Sequence, residues 1–332
     1  MKKLYVVLVL ILSLAFTGCK STDVKNENNT VQNNEKMKQG ELVKFDYEIY
    51  GNNYEVTFEE APKRAVTMSQ FMTEMLLALN LEDRMVGTAF MDNEIYPEFK
   101  DAYEKIPVLS DKYPSKEKLF SVEPDFVSGW TSAFDEKRVA SADEMIENGI
   151  KPFLAKSISG NGSLETVYQD FEDLGNIFRV EQKANKVILN MKSQIKSIQD
   201  KIGNISEEEM VKVFAYDSGE KEPFIVAGGG VSGDIIRKAK GKNIFEDIKK
   251  GYATVSWEEV VEKNPAIIVI VDYGDTDYET KLNFLKNHPA LKELEAVKEN
   301  RFVKISLADM SPGIRNAKAI EKLANGFYPE KF

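Results

Sequence analysis

The chain has 332 residues, of which 42% are apolar and 30% charged, with a net charge of −10 and no basic block. That balance suits a globular protein with room for two cores, and it argues against nucleic acid, whose phosphates call for clustered Lys and Arg. One cysteine, Cys19, and one histidine, His288, exclude an internal disulfide and any zinc site built from His and Cys.

Lys2 and Lys3 precede LYVVLVLILSLAF (4–16), an apolar run of 13 residues, whereas a spanning helix needs roughly 20. Thr17, Gly18 and Cys19 complete the layout of a secretory leader. The small pair before the cysteine resembles a bacterial lipobox, with residues 1–18 as the leader and Cys19 as the lipidated residue; Phe16 stands where Leu is usual. Losing the leader removes two lysines and takes the net charge from −10 to about −12. Residues 19–40 are dominated by Asn, Lys and Glu and hold no aromatic residue. They cannot bury enough apolar surface to offset their ordering entropy, which predicts a flexible tether with a reach of roughly 25 Å.

Beyond the tether, short apolar runs alternate with helical patterns. The expected strands are Arg64–Met68, Arg84–Ala89, Pro124–Gly129, Pro152–Ala155, Val211–Tyr216, Phe224–Ala227, Ala266–Val271 and Phe302–Ile305. Continuous runs such as AIIVIV suit strands buried on both faces, and the alternation predicts an α/β fold with mainly parallel sheets. From Ser163 to about Gly203 only helical periodicity appears. Ala184, Val187, Ile188, Met191, Ile195, Ile198 and Ile202 form one stripe, which predicts a long helix over residues 181–203. It would join a lobe of residues 41–180 to one of residues 204–332.

An internal echo supports two lobes. PSKEKLFSVEPDFV (114–127) aligns with VSWEEVVEKNPAII (255–268), placing Ser115 on Ser256, Glu117 on Glu258 and Pro124 on Pro265. Each copy reads as a Ser-capped helix, a Pro stop and a buried strand.

Gly228, Gly230 and Gly233 in AGGGVSGD satisfy G-x-G-x-x-G between a strand and a helix. An exported chain meets no useful nicotinamide pool, and Asp234 occupies the position of the Walker lysine, so neither dinucleotide nor nucleotide binding is favoured. Gly229 and Gly230 instead read as a turn that brings a ligand near backbone amides. Catalytic constellations are scarce: His288 sits in a polar turn and reads as a solvated surface imidazole, and no nucleophile elbow appears. Ligands of open α/β sheets bind beyond the carboxyl ends of the strands. The candidates there are Met68, Ser69, Gln70, Phe71, Phe90, Trp130, Tyr216 and Tyr273, with Arg315 after a Pro-Gly turn as a cation for an anionic ligand.

PKRAVTMSQFMTEMLLALNLEDRMVGTA, PSKEKLFSVEPDFV, GKNIFEDI, TVSWEEVVEKNPAIIVI, LEAVKENRFVKI and SPGIRN occur in that order over residues 60–330. The set resembles the substrate-binding lipoproteins of ABC importers for ferric siderophores, cobalamin and haem. The resemblance implies two Rossmann-like lobes joined by one long helix, a ligand cleft between them, no catalysis and no cofactor. It also implies a permease-docking glutamate on each lobe, at Glu117 and Glu258. The resulting expectation is a monomeric receptor, lipid-anchored at the outer face of the cytoplasmic membrane, that delivers a ferric siderophore to ABC permease subunits. Cobalamin and haem remain as alternatives, as does an exported α/β enzyme using carboxylates.

Overall fold

The computed structural model describes residues 42–332; the leader, tether and Cys19 assignments fall outside them. The chain opens with an antiparallel hairpin of β1 (Val43–Ile49) and β2 (Asn52–Phe58), turning at Gly51 with φ +82°. Phe45, Tyr47 and Ile49 face inward and Lys44, Asp46 and Glu48 outward, the alternation expected of a half-buried strand.

The first sheet has five parallel strands in the order β5-β4-β3-β6-β7. They are β3 (Ala65–Met68), β4 (Met85–Ala89), β5 (Val108–Ser110), β6 (Phe126–Gly129) and β7 (Lys151–Phe153). Every residue of the central pair, β3 and β6, is buried, because helices cover both faces.

The second sheet is mixed. It contains β8 (Val211–Ser218), β9 (Phe224–Val226), β10 (Gly241–Asn243), β11 (Tyr252–Thr254), β12 (Ile267–Asp272) and β13 (Phe302–Ser306). β10, β8, β12 and β13 run parallel. β9 pairs antiparallel with the second half of β8, and β11 pairs antiparallel with β9.

Between the sheets lies the long helix Glu181–Ile202, 22 residues, or about 33 Å at the helical rise. Ala184, Ile188, Met191, Ile195, Ile198 and Ile202 are its buried stripe. It packs on the helix Leu164–Phe178 of the first half and on Asn316–Phe327 of the second. The approach to the first is close enough that a Cβ on Gly175 would lie 2.7 Å from that of Ala184. One apolar cluster runs from the first sheet through this helix to one face of the second sheet, joining Phe126 and Ile188 to Val213 and Val269. A second cluster, around Phe214, Trp257 and Leu285, covers the other face of the second sheet.

The architecture is therefore the expected α/β arrangement of two lobes joined by a long helix. Five strands have no counterpart among those expected from the sequence: the hairpin pair β1 and β2, then β5, β10 and the edge strand β11. The last three have only three residues each, too few to show a period.

Candidate functional site

Segments from both sheets meet between the lobes: the loops after β6 and β7 from the first, and from the second the turn after β9, the start of β11 and the segment after β13. A cavity of about 170 Å³ lies there, lined by Trp130, Ser157, Ile158, Ser159 and Gly160 from the first lobe. Gly230, Val231, Ser232, Gly251, Tyr252, Ser311 and Pro312 line it from the second. None of these twelve side chains carries a charge at neutral pH.

Trp130 follows β6, half-buried, with its ring 4.7 Å from that of Phe71, which lies beneath it in the core. Ser157 is positioned by Asp170, whose buried carboxylate accepts from the Lys156 amide at 2.7 Å and the Ser157 amide at 3.0 Å. Burial pushes the Asp170 carboxyl up to about 7 although these amides favour its anion. The Ser157 hydroxyl itself is buried without a hydrogen-bond partner. Opposite, Ser232 donates to the Met310 carbonyl at 2.9 Å and lies 3.3 Å from the Tyr252 hydroxyl.

The turn at Gly228–Gly230 differs from its sequence reading. Its amides are taken: Gly228 donates to Ile248, Gly229 to Lys250, and Gly230 across the interface to Gly160. A Cβ at Gly228 would lie 2.3 Å from the Glu246 carbonyl oxygen, and one at Gly229 2.4 Å from that of Lys249. The glycines let two backbone segments touch, and they leave no free amides for a ligand; only Gly230 reaches the cavity wall. Asp234, in the same motif, accepts from the Leu164 amide at the start of the helix Leu164–Phe178 and pairs with Arg237 at 3.0 Å.

Arg315 also differs from expectation. It is 7% exposed and its guanidinium is engaged by Glu74 through two nitrogens, one at 2.7 Å. It donates further to the Glu94 carbonyl at 2.7 Å and stacks over the Tyr96 ring. Its charge is spent inside the protein. Gln70 belongs to the same network: its amide donates to Glu74 and to the Glu94 carbonyl, and it accepts from Asp92 and Asn93 amides. Asn93 completes the bridge by donating to the Asp272 carbonyl and accepting from the Ala308 amide.

Of the remaining candidates, Met68 and Ser69 are wholly buried at the end of β3. Phe90 adopts φ +62°, unfavourable for a residue with a Cβ, and packs 4.5 Å from the Tyr113 ring. Tyr216 is 2% exposed inside the second apolar cluster, away from the cavity. Tyr273 is half-buried and donates to Asp217 at 2.5 Å. Trp130 and Gly230 alone of the sequence candidates line the cavity. Ser157 lies in a short segment without period or motif and Tyr252 opens the three-residue β11, so neither gave a signal; Ser232 stands inside AGGGVSGD, in the first turn of the helix Gly230–Lys238, where the glycines alone drew the reading.

His288 is not the solvated imidazole expected. It is half-buried, 4.5 Å from the Trp257 ring and 5.4 Å from that of Phe284, and burial lowers its proton affinity. Among the described residues, no group of three or more His, Cys, Asp or Glu could hold a metal ion. No described helix is long and apolar enough to cross a membrane.

Glu117 and Glu258 are exposed, each at the second residue of its helix, Lys116–Ser121 and Trp257–Lys263. Ser115 caps the first helix by accepting from Lys118. Ser256 and Glu259 form a reciprocal capping box on the second, which leaves Glu258 without a capping task.

Two α/β lobes flanking an uncharged cavity, with a stiff helix between them, define a solute-binding protein rather than a catalytic centre. The chain belongs to the periplasmic binding protein family, whose model matches residues 66–306. It is 28% identical over 283 residues to the ABC transporter substrate-binding lipoprotein YvrC of Bacillus subtilis, covering 85% of each chain. A vitamin B12-binding protein of Vibrio parahaemolyticus is 22% identical over 70% of this chain and 79% of its own. A periplasmic binding protein from Veillonella parvula superposes with a TM-score of 0.82 at 36% identity, over 87% of this chain and 99% of that one. An Fe3+-hydroxamate transport protein from Saccharomonospora viridis shares the fold, with a TM-score of 0.70 at 17% identity over 85% of this chain and 98% of that one.

Proposed function

We propose that this protein captures a bulky metal–organic complex between its lobes and delivers it to an ABC permease, held at the outer membrane face by lipid on Cys19. The observation that carries this reading is the interlobe cavity, where Trp130 and Tyr252 supply apolar faces and the serines supply hydrogen bonds, as ligand sites generally do. A ferric siderophore is the first candidate ligand. Cobalamin is the second, favoured by the commitment of Arg315 to Glu74, which withdraws the cation that an anionic chelate would use. The cavity of about 170 Å³ is smaller than the roughly 300–1,000 Å³ of typical ligand sites, so binding requires the loops around it to part. Glu117 and Glu258, in matching helical positions on the two lobes, are the proposed permease contacts.

Equilibrium dialysis of the purified chain against ferric siderophores, cobalamin and haem tests the reading. Retention of one at micromolar concentration or below supports it, and retention of none overturns it.

A further inference from the structure

We propose that residues 157–162 form a strap that closes the interlobe cavity, and that the cavity opens by the lifting of this strap while the two lobes stay together. The AGGGVSGD turn of the second lobe is its seat. The strap serves the receptor role proposed above, on which this inference rests for what passes through the opening.

The strap is an arch with fixed feet. It follows β7, and Ser157, Ile158, Ser159 and Gly160 join Trp130 as the first lobe's side of the cavity. Its crown, residues 159–161, is exposed, while Ser157 and Gly162 at its feet are buried. One foot is held by the Asp170 carboxylate, which accepts from the Lys156 and Ser157 amides. The other runs into the helix Leu164–Phe178, where Ser163 and Thr166 form a reciprocal capping box and the Leu164 amide donates to Asp234 of the seat at 3.0 Å. Between the feet, one hydrogen bond joins the strap to the second lobe among the described residues: the Gly230 amide donates to the Gly160 carbonyl at 3.1 Å.

Glycines shape both partners. A Cβ at Gly229 would lie 2.9 Å from the Gly160 carbonyl oxygen, so a side chain on the seat would push the crown away. The bend of the strap itself needs Gly162, whose Cβ would lie 2.2 Å from the Ser157 carbonyl oxygen. At Gly160 a Cβ would have nothing within 4 Å.

Two ways of opening the cavity differ in what they break. Parting the lobes would rupture the Gly230–Gly160 and Leu164–Asp234 bonds together, then both bonds of Asn93 to Asp272 and Ala308 and the buried Arg315–Glu74 pair. It would also open the apolar cluster that the long helix shares between the lobes. Lifting the strap breaks one hydrogen bond, and Ile158 is its only large apolar side chain. Segments with exposed backbone and few buried apolar contacts open first. Lifting also uncovers the Ser157 hydroxyl, which is buried without a partner in the closed form and gains one from an incoming molecule.

The test needs no ligand. Residue-resolved hydrogen exchange on the full chain in detergent compares the Gly230 amide, bonded to the crown, with the Leu164 amide, bonded to Asp234. Strap lifting breaks only the first bond, so the protection factor of Gly230 should be at least about tenfold below that of Leu164. Equal protection would mean that the lobes part as a unit, and it overturns the strap. Gly162→Ala should prop the strap open and raise acrylamide quenching of Trp130 fluorescence about twofold or more, whereas Gly160→Ala should leave it at the parent value. Trp257, 5% exposed, contributes little to this signal. Unchanged quenching in Gly162→Ala, or an equal rise in both variants, also overturns the strap. If Gly162→Ala fails to fold, the exchange comparison on the parent chain decides alone. None of these outcomes touches the receptor reading, which falls instead if dialysis retains no metal complex.

Discussion

Arg315 and Glu74 meet across 241 residues of sequence as a buried, doubly hydrogen-bonded ion pair that ties one lobe to the other. Asp309 extends the pair, 3.5 Å from the Arg315 guanidinium.

Breaking this pair from one side should destabilise the fold before it affects binding. Arg315→Ala leaves the Glu74 carboxylate buried without its partner, a change that costs about 3–5 kcal/mol. Glu74→Leu with Arg315→Met should cost less than either single change, because both buried charges leave together. Denaturant midpoints of the three variants measure this. If Arg315→Ala is as stable as the parent and loses only ligand affinity, the arginine serves the ligand and not the interface.

Trp130 should report ligand alone. The chain has two tryptophans, and Trp257 is 5% exposed in the second core with its indole donating to the Glu220 carbonyl at 2.9 Å. Ligand-dependent fluorescence change should vanish in Trp130→Phe and persist in Trp257→Phe. The reverse pattern would place the ligand outside the interlobe cavity.

Asp92 should make stability depend on pH in a defined direction. Burial pushes its carboxyl from 3.8 up to about 6, against the opposing pull of Lys112. The folded chain therefore holds this proton more tightly than the unfolded chain. The associated stability is full below about pH 4 and is lost as the pH rises through about 6. Asp92→Asn should thus exceed the parent by about 1–2 kcal/mol at pH 7.5, after allowance for partial solvent screening, and match it near pH 4. A variant whose advantage is the same at both pH values would show that Asp92 does not titrate there.

Glu117→Lys with Glu258→Lys should leave the unfolding midpoint and ligand affinity nearly unchanged, because both side chains point into solvent. If they dock the permease as proposed, uptake by cells should collapse, since like charges would then meet at both contacts. Normal uptake by a folded, ligand-binding double variant would remove these glutamates from docking.

Cys19→Ala should release a folded chain from the membrane fraction. Retention after a high-salt wash would mean that something other than lipid on this residue holds it.

How much of this was legible in the chain depended on the kind of signal. β12 announces itself as IIVIVD and the long helix as a stripe of Ile and Met, because each is an extended pattern with one physical cause. The hairpin Val43–Phe58 was equally legible, with alternating faces around Tyr50-Gly51, and an expectation that begins its strands at Arg64 misses it. The ends of β3 and β6 led to Phe71 and Trp130. Arg315 shows the limit: its position after a Pro-Gly turn was readable, but its partner lies 241 residues away. Nothing local distinguishes an arginine that meets a ligand from one that meets Glu74. The glycines of AGGGVSGD misled for a related reason, since a turn that admits another backbone and a turn that admits a ligand need the same residue.

The unbroken apolar cluster that passes through the helix Glu181–Ile202 has a consequence for cooperativity. Lobes joined by loose strands can melt one after the other, whereas lobes that share a core lose it together. A ligand held mainly by one lobe would then protect both. A receptor working outside the cell, as proposed for this chain, would then rarely present a half-melted form to proteases.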